Sequence, residues 1–199
     1  MVRTDSQDQI RKRWEKLKNI YIVGIPRAGK STLSKLIKDK YPIYNQFSFE
    51  AIRNGFIESQ PELDMGNRKS DARKNILPKH FITFARWNKE ILSCPSLIEG
   101  DFCSVKELFD LVDENDAIIC LGLGCRTIEE IIEGIRKNDK LNDYTNDWTN
   151  EQLYKHFYDI EEKDKNNYEF CKKNNIKYYD TYENRKELFE QIIEDINNM

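Results

Sequence analysis

The chain has 199 residues, a length that suits one α/β domain with an inserted segment. Its 32 basic and 35 acidic residues leave a net charge of −3, so no global field draws it to nucleic acid or to an anionic membrane. Hydrophobic residues make up 39% against 34% charged. The core must therefore be compact and the helices must expose charged faces, and the longest apolar runs, such as 116–124, are far too short to span a bilayer.

In chain order, residues 1–18 mix Arg3, Arg11, Lys12, Arg13, Lys16 and Lys18 with Asp5, Asp8 and Glu15, which reads as a short exposed helical lead-in. Residues 1–19 are charged throughout and show no signal peptide, so the expectation is a cytoplasmic protein. From residue 19 to 199 short apolar runs alternate with amphipathic stretches. Strands are expected at 20–24, 43–47, 96–100, 116–122 and 176–180. Helices are expected at about 30–40, 49–60, 70–93, 104–112, 127–137, 150–174 and 183–197. That alternation predicts an α/β fold with a parallel sheet and helices on both faces. Two connections exceed what a crossover needs: 48–95, expected to bind an acceptor, and the lid-like segment at about 135–150, polar and rich in Asn, Asp and Lys.

The five cysteines, Cys94, Cys103, Cys120, Cys125 and Cys171, form no C-x-x-C pair and are odd in number, so they read as reduced, mostly buried thiols. His80 and His156 have no partners at metal-ligand spacing, which argues against a zinc site.

The strongest signal is Gly24-Ile25-Pro26-Arg27-Ala28-Gly29-Lys30-Ser31, a G-x-x-x-x-G-K-S phosphate-binding loop, followed by Thr32. The strand before it and the helix after it are the context this motif requires. Its glycines let successive N–H groups converge on one anion, and the helix adds its positive end. Gly24, Pro26, Arg27, Ala28, Gly29, Lys30, Ser31 and Thr32 are thus the candidate nucleotide-binding residues, with Lys30 on the β- and γ-phosphates and Ser31 on Mg²⁺.

The third strand ends Glu99-Gly100-Asp101. Ligands of open α/β sheets bind at the strands' carboxyl ends, and alternation puts Glu99 and Asp101 on one face. Asp101 is the candidate general base or ligand to a Mg²⁺-bound water, and Glu99 a candidate substrate ligand. Phosphoryl transfer also needs cations that follow the moving charge. Arg126, after the fourth strand, and Arg136, before the polar segment, are the candidates for catalysis, and Arg53, just after the second strand, for the acceptor. Arg68 and Arg73 are expected on the surface. Among Phe47, Phe49, Phe56, Phe81, Phe84, Trp87 and Phe102, one or two rings are expected to stack on a planar acceptor.

With the loop, the Glu-Gly-Asp strand and the two long segments, residues 19–199 resemble the P-loop kinases of the nucleoside and nucleotide kinase group, alongside shikimate, gluconate and antibiotic kinases. The resemblance implies a five-stranded parallel sheet of order 2-3-1-4-5, an acceptor segment after strand two, a lid after strand four, and the use of ATP and Mg²⁺. Adenylate kinases usually carry glycine where Arg27 stands, and their lids hold more arginines than Arg136 with Lys137 and Lys140. Shikimate kinases carry paired aspartates after strand two; here Phe47-Ser48-Phe49-Glu50 stands there, leaving Glu50 as a reserve acceptor-binding carboxylate. The implied activity is transfer of the γ-phosphate of ATP to a small-molecule or nucleotide acceptor. The alternatives are a stand-alone regulatory ATPase and a kinase of nucleic-acid ends, the latter disfavoured by the acidic balance. GTPases are disfavoured because neither N-K-x-D nor D-x-x-G occurs.

Overall fold

A computed structural model of the chain describes residues 17–67, 69–101, 103–138 and 145–196. The expected lead-in at 1–16, the middle of the expected lid at 139–144, and Arg68 and Phe102 lie outside the described residues.

Five strands, β1 (Ile20–Gly24), β2 (Asn45–Ser48), β3 (Ser96–Glu99), β4 (Ala117–Gly122) and β5 (Tyr178–Asp180), form one sheet of order β2-β3-β1-β4-β5. Every pairing is parallel, with Ile22 opposite Glu99 and Ile119, and Phe47 opposite Ile98. The crossovers carry helices α1 (Lys30–Lys40), α2 (Phe49–Ser59), α3 (Leu77–Leu92), α4 (Val105–Phe109), α5 (Ile128–Asn138), α6 (Asn150–His156), α7 (Ile160–Lys173) and α8 (Arg185–Asp195).

The period-2 pattern of β1 explains the layering. Ile20 and Ile22 face a core built with Leu33 and Ile37 of α1, Ile131 and Ile135 of α5, and Phe189 and Ile192 of α8. Tyr21 and Val23 face the opposite core, built with Phe49 of α2, Leu77, Phe81 and Ala85 of α3, and Leu108 of α4. Burying each of these large side chains stabilises the fold by roughly 1.5–3 kcal/mol, so a chain with only 39% hydrophobic residues still fills both faces.

Two long periodic stretches are not single helices. The stretch 70–93 opens with a π-helical turn over Ala72–Ile76 before α3 begins. Pro78, at the start of α3, has no N–H and cannot continue an ordinary i→i−4 ladder. In the turn before it the Leu77 amide donates to the Ala72 carbonyl, a wider bond than the α-helical one. The stretch 150–174 breaks between α6 and α7, at 157–159; Leu153, Phe157 and Ile160 on both sides of the break pack in the α1-side core, and Cys171, at the far end of α7, reaches the α3-side core.

Of the five thiols expected to be mostly buried, Cys120 and Cys171 are; Cys94 and Cys103 are partly covered and Cys125 is exposed. No helix among the described residues is long and apolar enough to cross a membrane.

Candidate active site at the carboxyl edge of the sheet

The loop between β1 and α1 is wrapped tightly against β4. The Ile25 amide donates to the Leu121 carbonyl at 3.2 Å, and a Cβ at Gly24, whose φ is +128°, would lie 1.8 Å from that same carbonyl oxygen. Arg27 adopts a left-handed φ of 67°, a conformation that favours glycine. Gly29, at φ 87°, caps α1 with no side-chain hydrogen bond, and the first turn holds no acidic residue. The opening amides of α1 have no intrahelical acceptor, so they and the helix dipole are offered to an anion rather than to a capping side chain.

Lys30 is 9% exposed and its Nζ donates to the carbonyls of Gly24 (3.2 Å) and Ile25 (2.9 Å), which leaves one of its three N–H directions. Burial pushes its pKa down, and Asp101, Glu50 and Glu99 oppose that shift. Across the cleft, the Ser31 hydroxyl donates to Glu99 Oε2 at 3.0 Å. Glu99 is 5% exposed, and burial pushes its pKa above the usual carboxylate range, partly offset by the Ser31 bond. Sequence pattern paired Ser31 with Asp101 as metal ligands; the structure brings Ser31 to Glu99 instead. Gly100 is the reason. At φ +148° it breaks the strand alternation, and α2 packs so close that a Cβ there would sit 2.6 Å from Phe49 Cβ and 2.7 Å from Glu50 Oε2. The Asp101 amide then donates to Glu50 Oε1 at 3.0 Å, with Ser48 Oγ donating to Glu50 Oε2 at 3.3 Å. The Asp101 carboxylate, half-buried, accepts no hydrogen bond from the described residues and acts on Lys30 through its charge.

These groups line one cleft of about 980 Å³. Pro26, Arg27, Gly29, Lys30, Ser31 and Thr32 form its floor. Ser48, Glu50, Arg53, Arg73, Glu99 and Asp101 form the wall beneath β2 and β3, and Leu123, Lys137, His156, Tyr182, Asn184 and Arg185 the opposite wall. Ala28 is fully buried behind the floor, its carbonyl accepting from the Thr181 hydroxyl at 2.9 Å. Arg185 donates to the Arg27 carbonyl at 3.3 Å and to the Thr181 carbonyl at 2.9 Å. Burial and the neighbouring Arg27 charge both push the pKa of Arg185 down.

Neither arginine expected to serve catalysis is itself in the cleft lining. Arg126 lies 4.8 Å from the centroid of the Tyr182 ring and 3.8 Å from Glu183, outside the cleft lining. Arg136 donates to the Trp148 carbonyl and to Asn150 Oδ1 (3.2 Å), tying the end of α5 to the start of α6; its neighbour Lys137 reaches the cleft. Arg73, expected on the surface, is 9% exposed, donates to the Gly66 carbonyl at 3.3 Å and lines the cleft. Phe49 and Phe81 are core residues, and Phe84 and Trp87 are exposed. None of the described aromatics expected to stack on an acceptor lines the cleft; Tyr182 and His156 do.

The loop after β4 is held by a group no motif announced. Asp164 of α7, fully buried, accepts from the amides of Leu123 (3.0 Å) and Cys125 (2.9 Å) and from the Tyr178 hydroxyl (2.8 Å), while the Gly124 amide donates to that hydroxyl at 3.1 Å. Three successive amides are thereby fixed beside the cleft.

A parallel sheet of this order, with a phosphate loop joining its central strand to α1, is a P-loop kinase-like fold. No protein-family model and no curated protein matches the chain. Among solved structures it is similar to a protein described as a "putative kinase" from Chloroflexus aurantiacus, at 18% identity and a TM-score of 0.37, over 69% of this chain and 76% of that one. The assignment of fold rests on the strand order and the loop rather than on that distant likeness.

Proposed function

We propose that this chain is an ATP-dependent kinase that transfers the γ-phosphate to a small-molecule or nucleotide acceptor. One observation carries the reading: the phosphate loop, the Ser31–Glu99 pair and the uncommitted Asp101 carboxylate open on the same cleft. A bare triphosphatase needs the first two and has no use for an acceptor wall.

The residues present fit the implied ligands. The uncapped amides of α1, Lys30, Arg27 and Arg185 suit the phosphates of ATP. The Ser31 hydroxyl and the Glu99 carboxylate are hard oxygen donors suited to Mg²⁺, which is commonly held by one or two protein oxygens together with substrate phosphates. Bound there, Mg²⁺ would offset phosphate charge. In the reaction, an acceptor oxygen forms a bond to the γ-phosphorus as the bond from that phosphorus to the β,γ-bridging oxygen breaks. ADP departs, and Asp101 accepts the proton of an attacking hydroxyl.

The test is Lys30→Ala. Binding of a fluorescent ATP analogue and ATP-dependent transfer should both be lost while the circular dichroism spectrum is kept. Undiminished nucleotide binding in that variant would refute the assignment of the loop.

A further inference from the structure

We infer that the turn after β5 presets the phosphate loop: Arg185 and Thr181 hold two successive carbonyls of that loop, and this brace is what lets an arginine at position 27 keep a left-handed backbone. The inference rests on the phosphate-loop reading and adds to it two positioning residues that lie outside the motif.

Within 24–31, Arg27 is the only non-glycine residue with a positive φ. A side chain disfavours that conformation, and such residues persist where surrounding contacts over-determine them. Here the contacts come from the far end of the chain. Arg185 Nη2 donates to the Arg27 carbonyl at 3.3 Å, and its Nε donates to the Thr181 carbonyl at 2.9 Å, which aims the guanidinium at the loop. The Thr181 hydroxyl lies 2.9 Å from the next loop carbonyl, of Ala28, and 2.9 Å from that of Gly122. The Gly122 carbonyl already accepts from the Thr181 amide at 2.9 Å, so the single hydroxyl proton is needed at Ala28.

In a planar trans peptide the N–H points opposite to the C=O. Holding the carbonyls of Arg27 and Ala28 towards the turn therefore directs the amides of Ala28 and Gly29 away from it, and these are amides that a phosphate loop presents to an anion. The brace is itself fixed. Thr181 is fully buried, the Tyr182 amide donates to Asp180 Oδ1 at 2.9 Å, and the Tyr182 hydroxyl donates to the Glu130 carbonyl of α5 at 3.1 Å. The Phe189 ring and the Arg185 stem also back the loop: a Cβ at Gly29 would fall 2.9 Å and 3.4 Å from them. A site held in its binding form before the ligand arrives loses less of the binding energy to ordering.

The first measurement needs no nucleotide. Amide hydrogen exchange over 24–31, read by mass spectrometry, should be at least ~10-fold faster in Arg185→Met and in Thr181→Val than in the wild type, while β3 and α3 exchange as before. Unchanged exchange in that segment refutes the brace. The second measurement is the Kd of a fluorescent ATP analogue, compared in two backgrounds. Arg185→Met should weaken binding ~10-fold where Arg27 is present and at most ~3-fold in the Arg27→Gly chain, whose glycine keeps the left-handed form without help. Each ratio is taken within one background, so the loss of the Arg27 side chain cancels. Arg185 also lines the cleft, and a guanidinium that acted only by touching phosphate would weaken binding by the same factor in both backgrounds; that result overturns the inference. Should one of the two variants fail to fold, the other carries both measurements. If the wild type binds no ATP analogue, the phosphate-loop reading fails separately, and the exchange measurement alone decides the brace.

Discussion

Glu99→Gln separates the cost of the site from its use. The amide keeps the shape of the side chain and an oxygen to accept from the Ser31 hydroxyl, and it removes one negative charge from a position 5% exposed. Interactions of a charged ligand group contribute about 1.5–3 kcal/mol, so the variant should bind Mg²⁺–ATP up to about 100-fold more weakly. At a ligand concentration 100 times the wild-type Kd, binding stabilises the wild type by about 2.7 kcal/mol and the variant by only ~0.4 kcal/mol. For a chain of 199 residues, at roughly 2–4 °C per kcal/mol, that is a rise of about 5–11 °C against about 1–2 °C.

The nucleotide-free proteins should rank the other way. Burial holds the Glu99 pKa above its unfolded value, so the native chain binds this proton more tightly than the unfolded chain. The resulting cost is absent below the unfolded value, grows as pH rises towards the folded value, and is fully present above it. Lys30, pushed below its unfolded value of 10.5, adds a cost that is present in acid and fades as pH rises towards that value. Glu99→Gln should therefore melt no lower than the wild type at neutral pH and lose the gain the wild type makes on mild acidification. Melting curves across pH, with and without Mg²⁺–ATP, measure both effects. A variant that keeps the full Mg²⁺–ATP shift, or that is clearly less stable than wild type at neutral pH, would refute the reasoning.

Further outcomes follow from the same geometry. Asp101→Asn should lower kcat at least ~100-fold while Mg²⁺–ATP affinity stays near wild type, because the group receives a proton and does not hold the nucleotide; an unchanged rate in steady-state assays would make Asp101 structural. Asp164→Ala strands two amides and a phenol that are now satisfied, so stability should fall by about 3 kcal/mol or more, a drop in Tm of roughly 6–12 °C. A melting temperature within ~2 °C of wild type would show that the loop after β4 holds itself.

The comparison of sequence with structure turns on how local each interaction is. The candidate phosphate loop was legible because its proposed ligands are consecutive: backbone amides, Lys30 and Ser31 lie close together in the chain, so the motif spans the floor of the cleft. The parallel sheet was legible because buried strands and amphipathic helices alternate along the chain. Asp101 and Arg53 could be placed at the carboxyl edge from strand ends alone, and both line the cleft. Arg136 and Arg126 were chosen by the same rule and are not in that lining, because position along the chain does not say which way a side chain turns.

By itself, then, the sequence determined the fold class and the floor of the cleft, both of which rest on short-range pattern, while the strand order came only as what the resemblance implied. Tertiary structure alone decided that Glu99 meets Ser31, 68 residues away, because the parallel register sets Ile22 opposite Glu99 and the turn at Gly100 diverts Asp101 towards Glu50. It also decided that Arg73, within the π turn at 72–76, lines the cleft, and that Asp164 clasps the loop after β4. Each of these exists only once the helices have packed on the sheet.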